Sequence, residues 1–123
     1  MAESVERYFR VMTVRRHSKL GERRWCPAAD IYRTAETWVV KVDLAGVRLE
    51  DIEIEIEDKT LRIAGIRRDT FYNESVSYHQ LEITYSRFEK KLSFPCRIEG
   101  ATIERDYRDG LLILYLRTLE NCE

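Results

Sequence analysis

Histidine is scarce in this chain of 123 residues, with two copies, and proline also occurs twice. Three cysteines, Cys26, Cys96 and Cys122, form an odd set without C-x-x-C spacing, which excludes a zinc ribbon and argues against a disulfide framework, so all three are expected to be reduced. No run approaches the ~20 apolar residues a membrane-spanning helix requires. The first residues lack the continuous apolar stretch and small-residue cleavage site of a secretory signal, so a cytoplasmic location is the default expectation. An excess of one charge sign is also missing: 21 Lys and Arg face 22 Asp and Glu. That balance removes the overall attraction on which nucleic-acid binding usually rests. Neither nucleic acid nor membrane is expected as a partner. At this length the chain supports one domain, not two.

Catalytic constellations are missing as well. His17 and His79 lie in segments of different character, which makes a Cys–His pair an unforced coincidence. No G-x-G-x-x-G or G-x-x-x-x-G-K phosphate loop occurs. The carboxylates Glu53, Glu55 and Glu57 alternate with isoleucine, so they share one strand face at ~7 Å spacing and fit a solvated surface better than a cation cage. No enzyme activity, metal or cofactor is expected.

What is present divides the chain at Pro27. Residues 1–26 hold seven Lys or Arg against three Glu, with a helix-like apolar spacing at Val5, Tyr8, Phe9 and Met12. This is read as an N-terminal arm, partly helical or disordered, because one short amphipathic segment needs another surface to bury its stripe. From Pro27 the period becomes two. Ala28 to Thr34, Trp38 to Leu44, Ile52 to Asp58, Leu61 to Ala64, Tyr78 to Ser86, Phe88 to Phe94 and Leu111 to Leu116 read as strands, and the Asp109-Gly110 dipeptide as a turn. Short strands at this spacing predict an all-β, immunoglobulin-like antiparallel sandwich over residues 27–118, followed by a short tail, 119–123. The gap from Arg67 to Ser77 is too long for a hairpin and contains Phe71, Tyr72 and Val76, which suits a strand that pairs on another chain.

From Pro27 to Leu116 the order of motifs resembles the α-crystallin domain of the small heat-shock proteins. The pieces are Asp30-Ile31-Tyr32, Val42-Asp43-Leu44-Ala45-Gly46-Val47, Leu61-Arg62-Ile63-Ala64-Gly65, Tyr78-His79, Tyr85-Ser86-Arg87-Phe88, Phe94-Pro95 and Asp109-Gly110-Leu111-Leu112. Departures from the family pattern are Ala45 for proline, Ser86 for glycine, Lys90 for arginine, Arg105 for alanine, and no I-x-I motif in Arg117 to Glu123. The resemblance implies a stress-response chaperone that holds unfolding client proteins without ATP, and a homodimer or small oligomer built by strand exchange. The alternative is a co-chaperone or adaptor module that uses the same sandwich for specific protein contacts.

The resemblance also implies sites. The dimer-exchange loop would use Arg67, Arg68, Phe71, Tyr72, Glu74 and Val76, with Glu74 and the Glu53 to Glu57 row as partners for the two arginines. A hydrophobic groove is expected between Ile52 to Asp58 and Phe88 to Phe94, lined by Ile54, Ile56, Leu92 and Phe94. Arm contacts would come from Tyr8, Phe9, Met12 and Val14. Met12 and Val14 either enter the groove in extended form, or Met12 belongs to the helical stripe with Val5, Tyr8 and Phe9.

Overall fold

The structure, a computed structural model, describes residues 24–70 and 75–118. Its strands are β1 (Ala29–Arg33), β2 (Thr37–Asp43), β3 (Ile52–Glu57), β4 (Thr60–Ile66), β5 (Arg87–Ser93), β6 (Thr102–Arg108) and β7 (Leu111–Arg117), with a 3-10 turn at Leu49–Asp51. They form two antiparallel sheets, β1-β2-β7-β6 and β3-β4-β5. The all-β antiparallel sandwich expected from the sequence is therefore the observed fold.

Alternation explains which face each strand buries. In β2 and β7 the pairs Val40 with Leu114 and Val42 with Leu112 point inward. Leu61 of β4, opposite Leu92 of β5, comes from the other sheet to meet them. Leu44, Ile63, Phe88, Phe94, Ile98 and Leu116 belong to the same core, and all are buried. Each such side chain contributes about 1.5–3 kcal/mol relative to exposure. The β6–β7 turn needs two consecutive positive φ angles, and Asp109 (54°) with Gly110 (78°) supplies them.

Tyr107 joins the sheets. Its hydroxyl proton is shared between the carbonyls of Leu44 (2.7 Å) and Val47 (2.5 Å), which lie on the crossover from β2 to β3. Burial pushes the phenol pKa up. A raised folded-state value means that Tyr107 is neutral in both states below about pH 10, and that unfolding is favoured as pH rises through the folded value. Tyr107→Phe should cost about 1–2 kcal/mol at neutral pH. It should also flatten the loss of stability above pH 10, as read from urea unfolding at pH 7 and 10.5.

Several expectations need correction. Tyr78 to Ser86 is not a strand; it is irregular chain returning to β5. Strand β6 was not anticipated, because Thr102–Arg108 has apolar side chains only at Ile103 and Tyr107 and lies at a sheet edge. The cysteines are not all reduced: Cys96 is disulfide-bonded, with its partner outside the described residues, while Cys26 is free and exposed. Counting cysteines judged the set as a whole and could not see one pair brought together by folding.

Candidate functional site

Two open sheets leave four edge strands, β1 and β6 in one and β3 and β5 in the other. An edge presents unpaired backbone donors and acceptors, a template for another chain. On β1 the side chains of Ile31 and Tyr32 are exposed.

The edge strands β3 and β6, one in each sheet, are tied together at both ends. At one end the Ile98 and Glu99 amides donate to the Asp58 carbonyl (2.9 and 3.1 Å), and the Asp58 amide donates to Glu99 Oε1 (2.8 Å). These bonds tie the start of β6 to the end of β3. At the other end Tyr107 ties the end of β6 to the approach to β3. Half-buried Ile54 and Ile56 on β3 and Tyr107 on β6 pack against the same core, while Ile103 and Arg105, on the Tyr107 side of β6, are exposed. The expected slot between β3 and β5 does not form. Strand β4 pairs with both β3 and β5 and separates them, so Leu92 and Phe94 cannot form the second wall of a slot with Ile54 and Ile56. Leu92 packs against the core and Phe94 is part of it. Alternation revealed which side chains share a face but not which strands are neighbours. The residue missed was Tyr107, whose hydroxyl ties β6 to the β2–β3 crossover.

The base of the long loop is organised by Arg67. Its Nε and Nη2 donate to the Thr84 carbonyl (2.9 and 2.8 Å), and Nη1 donates to the Ala45 carbonyl (3.2 Å). The guanidinium carbon lies 3.6 Å from the centre of the Trp25 ring and 5.9 Å from that of Tyr85. Burial pushes the Arg67 pKa down, with Tyr85 and Asp43 opposing. Backbone bonding continues one rung past the β4–β5 ladder, from the Arg67 amide to the Ser86 carbonyl (3.0 Å), and the Trp25 amide donates to Ser86 Oγ (3.1 Å). Arg67 thus joins three segments of its own chain; among the described residues its partners are carbonyls and rings, not the Glu53 to Glu57 row, and Glu74 lies outside the described residues. Arg68 pairs with Asp51 at 3.2 Å. Val76 is exposed. Phe71, Tyr72 and Glu74 of the loop, and Tyr8, Phe9, Met12 and Val14 of the arm, lie outside the described residues.

On the outer face of the smaller sheet the glutamate row is exposed, and Arg62 bridges Glu55 (2.7 Å) and Glu89 (2.5 Å). These bonds raise the Arg62 pKa, the Glu89 bond most, and hold Glu89 below its ordinary value. Among the described residues no group of three or more His, Cys, Asp or Glu is placed to hold a metal ion, and no helix is long and apolar enough to cross a membrane.

A four-stranded and a three-stranded antiparallel sheet, two of their edges tied together at both ends, and a long loop leaving β4 to return at β5 define a β-sandwich of the α-crystallin type. The model of the Hsp20/alpha crystallin family matches residues 30–123, and the chain belongs to that family. It is 28% identical over 96 residues to small heat shock protein C2 of Rickettsia felis, covering 78% of this chain and 62% of that protein. It is 28% identical over 99 residues to heat shock protein 16 of Schizosaccharomyces pombe, covering 79% of this chain and 69% of that one. Among the relatives with the strongest matches the chain spans roughly half to two thirds of their length. In fold it is similar to the solved heat shock protein 16.0 of S. pombe, with a TM-score of 0.72 at 24% identity over 80% of this chain and 92% of that one. A small heat-shock protein from Xylella fastidiosa aligns with a TM-score of 0.64 at 22% identity over 80% of this chain and 91% of that one.

Proposed function

We propose that this chain is an ATP-independent holdase that binds unfolding proteins and suppresses their aggregation, without enzymatic turnover, in the cytoplasm. The observation that carries this reading is the pair of open edges β3 and β6, tied together at both ends. They offer the half-buried Ile54 and Ile56 and the exposed Ile103, with backbone that an extended client segment can pair with. Holding by apolar contact and edge pairing needs no nucleotide. The working unit is a homodimer or small oligomer in which Thr70 to Val76 of one chain adds to β1 of the other beside Ile31 and Tyr32, with Phe71, Tyr72 and Val76 as its apolar contacts.

The purified protein should reduce light scattering from three unrelated heated substrates at near-stoichiometric ratios, with or without ATP. Deletion of Asp69 to Val76 should convert the assembly to monomers by multi-angle light scattering. Scattering unchanged at several-fold molar excess would sink the holdase reading and favour an adaptor that makes specific contacts through the same sandwich.

A further inference from the structure

A charge on the inward side of an edge strand guards that edge against indiscriminate pairing. Strand β6 carries such a charge. It pairs with β7 alone, and its other edge is open. Side chains alternate along a strand, so Ile103, Arg105 and Tyr107 share the side on which Tyr107 packs against the core. Register sets these three opposite Leu116, Leu114 and Leu112 of β7, all fully buried. Ile103 and Arg105 are nevertheless exposed. The Arg105 guanidinium has no hydrogen bond or ion pair among the described residues. Carboxylates of both edge strands lie on the opposite faces: Glu104 and Asp106 on the outer side of β6, where Asp106 pairs with Arg108 at 3.2 Å, and Glu53, Glu55 and Glu57 on the outer side of β3. On the core side β3 offers only Ile52, Ile54 and Ile56.

We infer that Arg105 is a specificity-determining residue: it selects, for the open β6 edge, extended client segments that place an aspartate or glutamate opposite Arg105 and an apolar side chain opposite Ile103. This rests on the client-binding role proposed for the β3 and β6 edges and adds which segments they take. A strand that adds to β6 continues the period of two, so two of its side chains, two positions apart, fall beside Ile103 and Arg105 on one face. With Leu114 on its other side, Arg105 is then covered from both flanks. A guanidinium covered in this way loses water, and an apolar neighbour returns nothing for that loss. A carboxylate accepts two parallel N–H bonds from the planar fork and restores the lost solvation. Lysine or arginine at the same position adds like-charge repulsion across the strands. The edge therefore discriminates by a repulsive element as much as by an attractive one, and mixed acidic and apolar segments pass where basic and wholly apolar ones are disfavoured.

The test uses the full chain and three fluorescent octapeptides, identical except that the residue two positions from a central isoleucine is Glu, Gln or Lys. Anisotropy should give the Glu peptide an affinity about tenfold above the Gln peptide in about 50 mM salt, with the Lys peptide weakest. The gap should narrow in about 500 mM salt. Arg105→Gln should abolish the preference and Arg105→Glu should turn it toward the Lys peptide, while unchanged methyl shifts of Leu112 and Leu114 report an intact sheet. The Glu peptide should shift the Ile103 methyls and leave those of Ile31 on the β1 edge in place. Equal affinities for the three peptides, or a preference that survives Arg105→Gln, would overturn the inference and leave the holdase reading standing. Shifts at Ile31 without shifts at Ile103 would overturn it as well. If no peptide binds, the inference falls, and whether heated clients still stay in solution decides the holdase reading separately.

Discussion

Replacing Gly65 by alanine is expected to lower the melting temperature by roughly 12 °C or more. Gly65 lies in β4, the central strand of the smaller sheet, paired with Ile52 on one side and Phe88 on the other. A Cβ there would stand 2.1 Å from the Asp51 carbonyl oxygen and 2.9 Å from Phe88 Cζ. The first neighbour is backbone, at the 3-10 turn that aims β3 into the sheet, so it cannot rotate aside. Relief requires β3 to shift away from β4, with loss of burial for Ile52. Overpacking costs typically 1–3 kcal/mol and more where the neighbour is rigid; about 3 kcal/mol corresponds to roughly 12–24 °C at 4–8 °C per kcal/mol for a domain of this size. Circular dichroism melts read the shift, and Gly100→Ala, where a Cβ meets nothing within 4 Å but φ is +90°, separates the close approach from the strain of left-handed backbone alone. A Gly65→Ala melt within about 4 °C of the parent would contradict the account.

The second large effect is expected at Arg67. Arg67→Ala removes charge-assisted hydrogen bonds to the Thr84 and Ala45 carbonyls and the stack on Trp25. Hydrogen bonds to charged groups contribute about 1.5–3 kcal/mol each, less where water reaches them, and a total of about 2–3 kcal/mol is expected for this partly buried side chain. Arg67→Lys should recover less than half of the loss. An ammonium keeps the charge but has no planar fork with which to serve two carbonyls while lying flat on an indole. Urea unfolding reads the stability, and amide exchange at Trp25, Tyr85 and Ser86 reads the local opening. A lysine variant as stable as the parent would show that charge alone holds the loop base.

Much of this architecture is legible in the residues. Ile52, Ile54 and Ile56 alternate with glutamate and become β3; Leu112 to Leu116 form an apolar run and become a strand flanked on both sides by others. The failures have physical causes. Tyr78 to Ser86 is rich in aromatic and β-branched residues, yet its Thr84 carbonyl is taken by a guanidinium and its Ile83 is 60% exposed. Strand propensity describes fit to a half-buried pleated surface, and this segment has none to fit. Strand β6 showed the reverse: weak propensity overridden by a ladder with β7 from Thr102 to Arg108. The expected slot between β3 and β5 failed for a different reason: period places Ile54 and Ile56 on one face, but β4 lies between the two strands, and sheet order is not encoded by periodicity. Nothing in the local pattern marked Arg67 as a clamp, because its partners are carbonyls 17 and 22 positions away.

The order of strands in the larger sheet also sets the order of events at the ribosome. Strand β2 can pair with β1 as soon as both emerge, but its other partner is β7, which is synthesised last of the seven. The smaller sheet, drawn from Ile52 to Ser93, is complete in sequence before β6 and β7 exist. Trp38, Val40 and Val42 must therefore wait for Leu112, Leu114 and Leu116 while roughly 70 residues are added, about 3–14 s at 5–20 residues per second. During that interval the nascent chain exposes an apolar strand with one free edge, and it passes through its own aggregation-prone stage before it can fold.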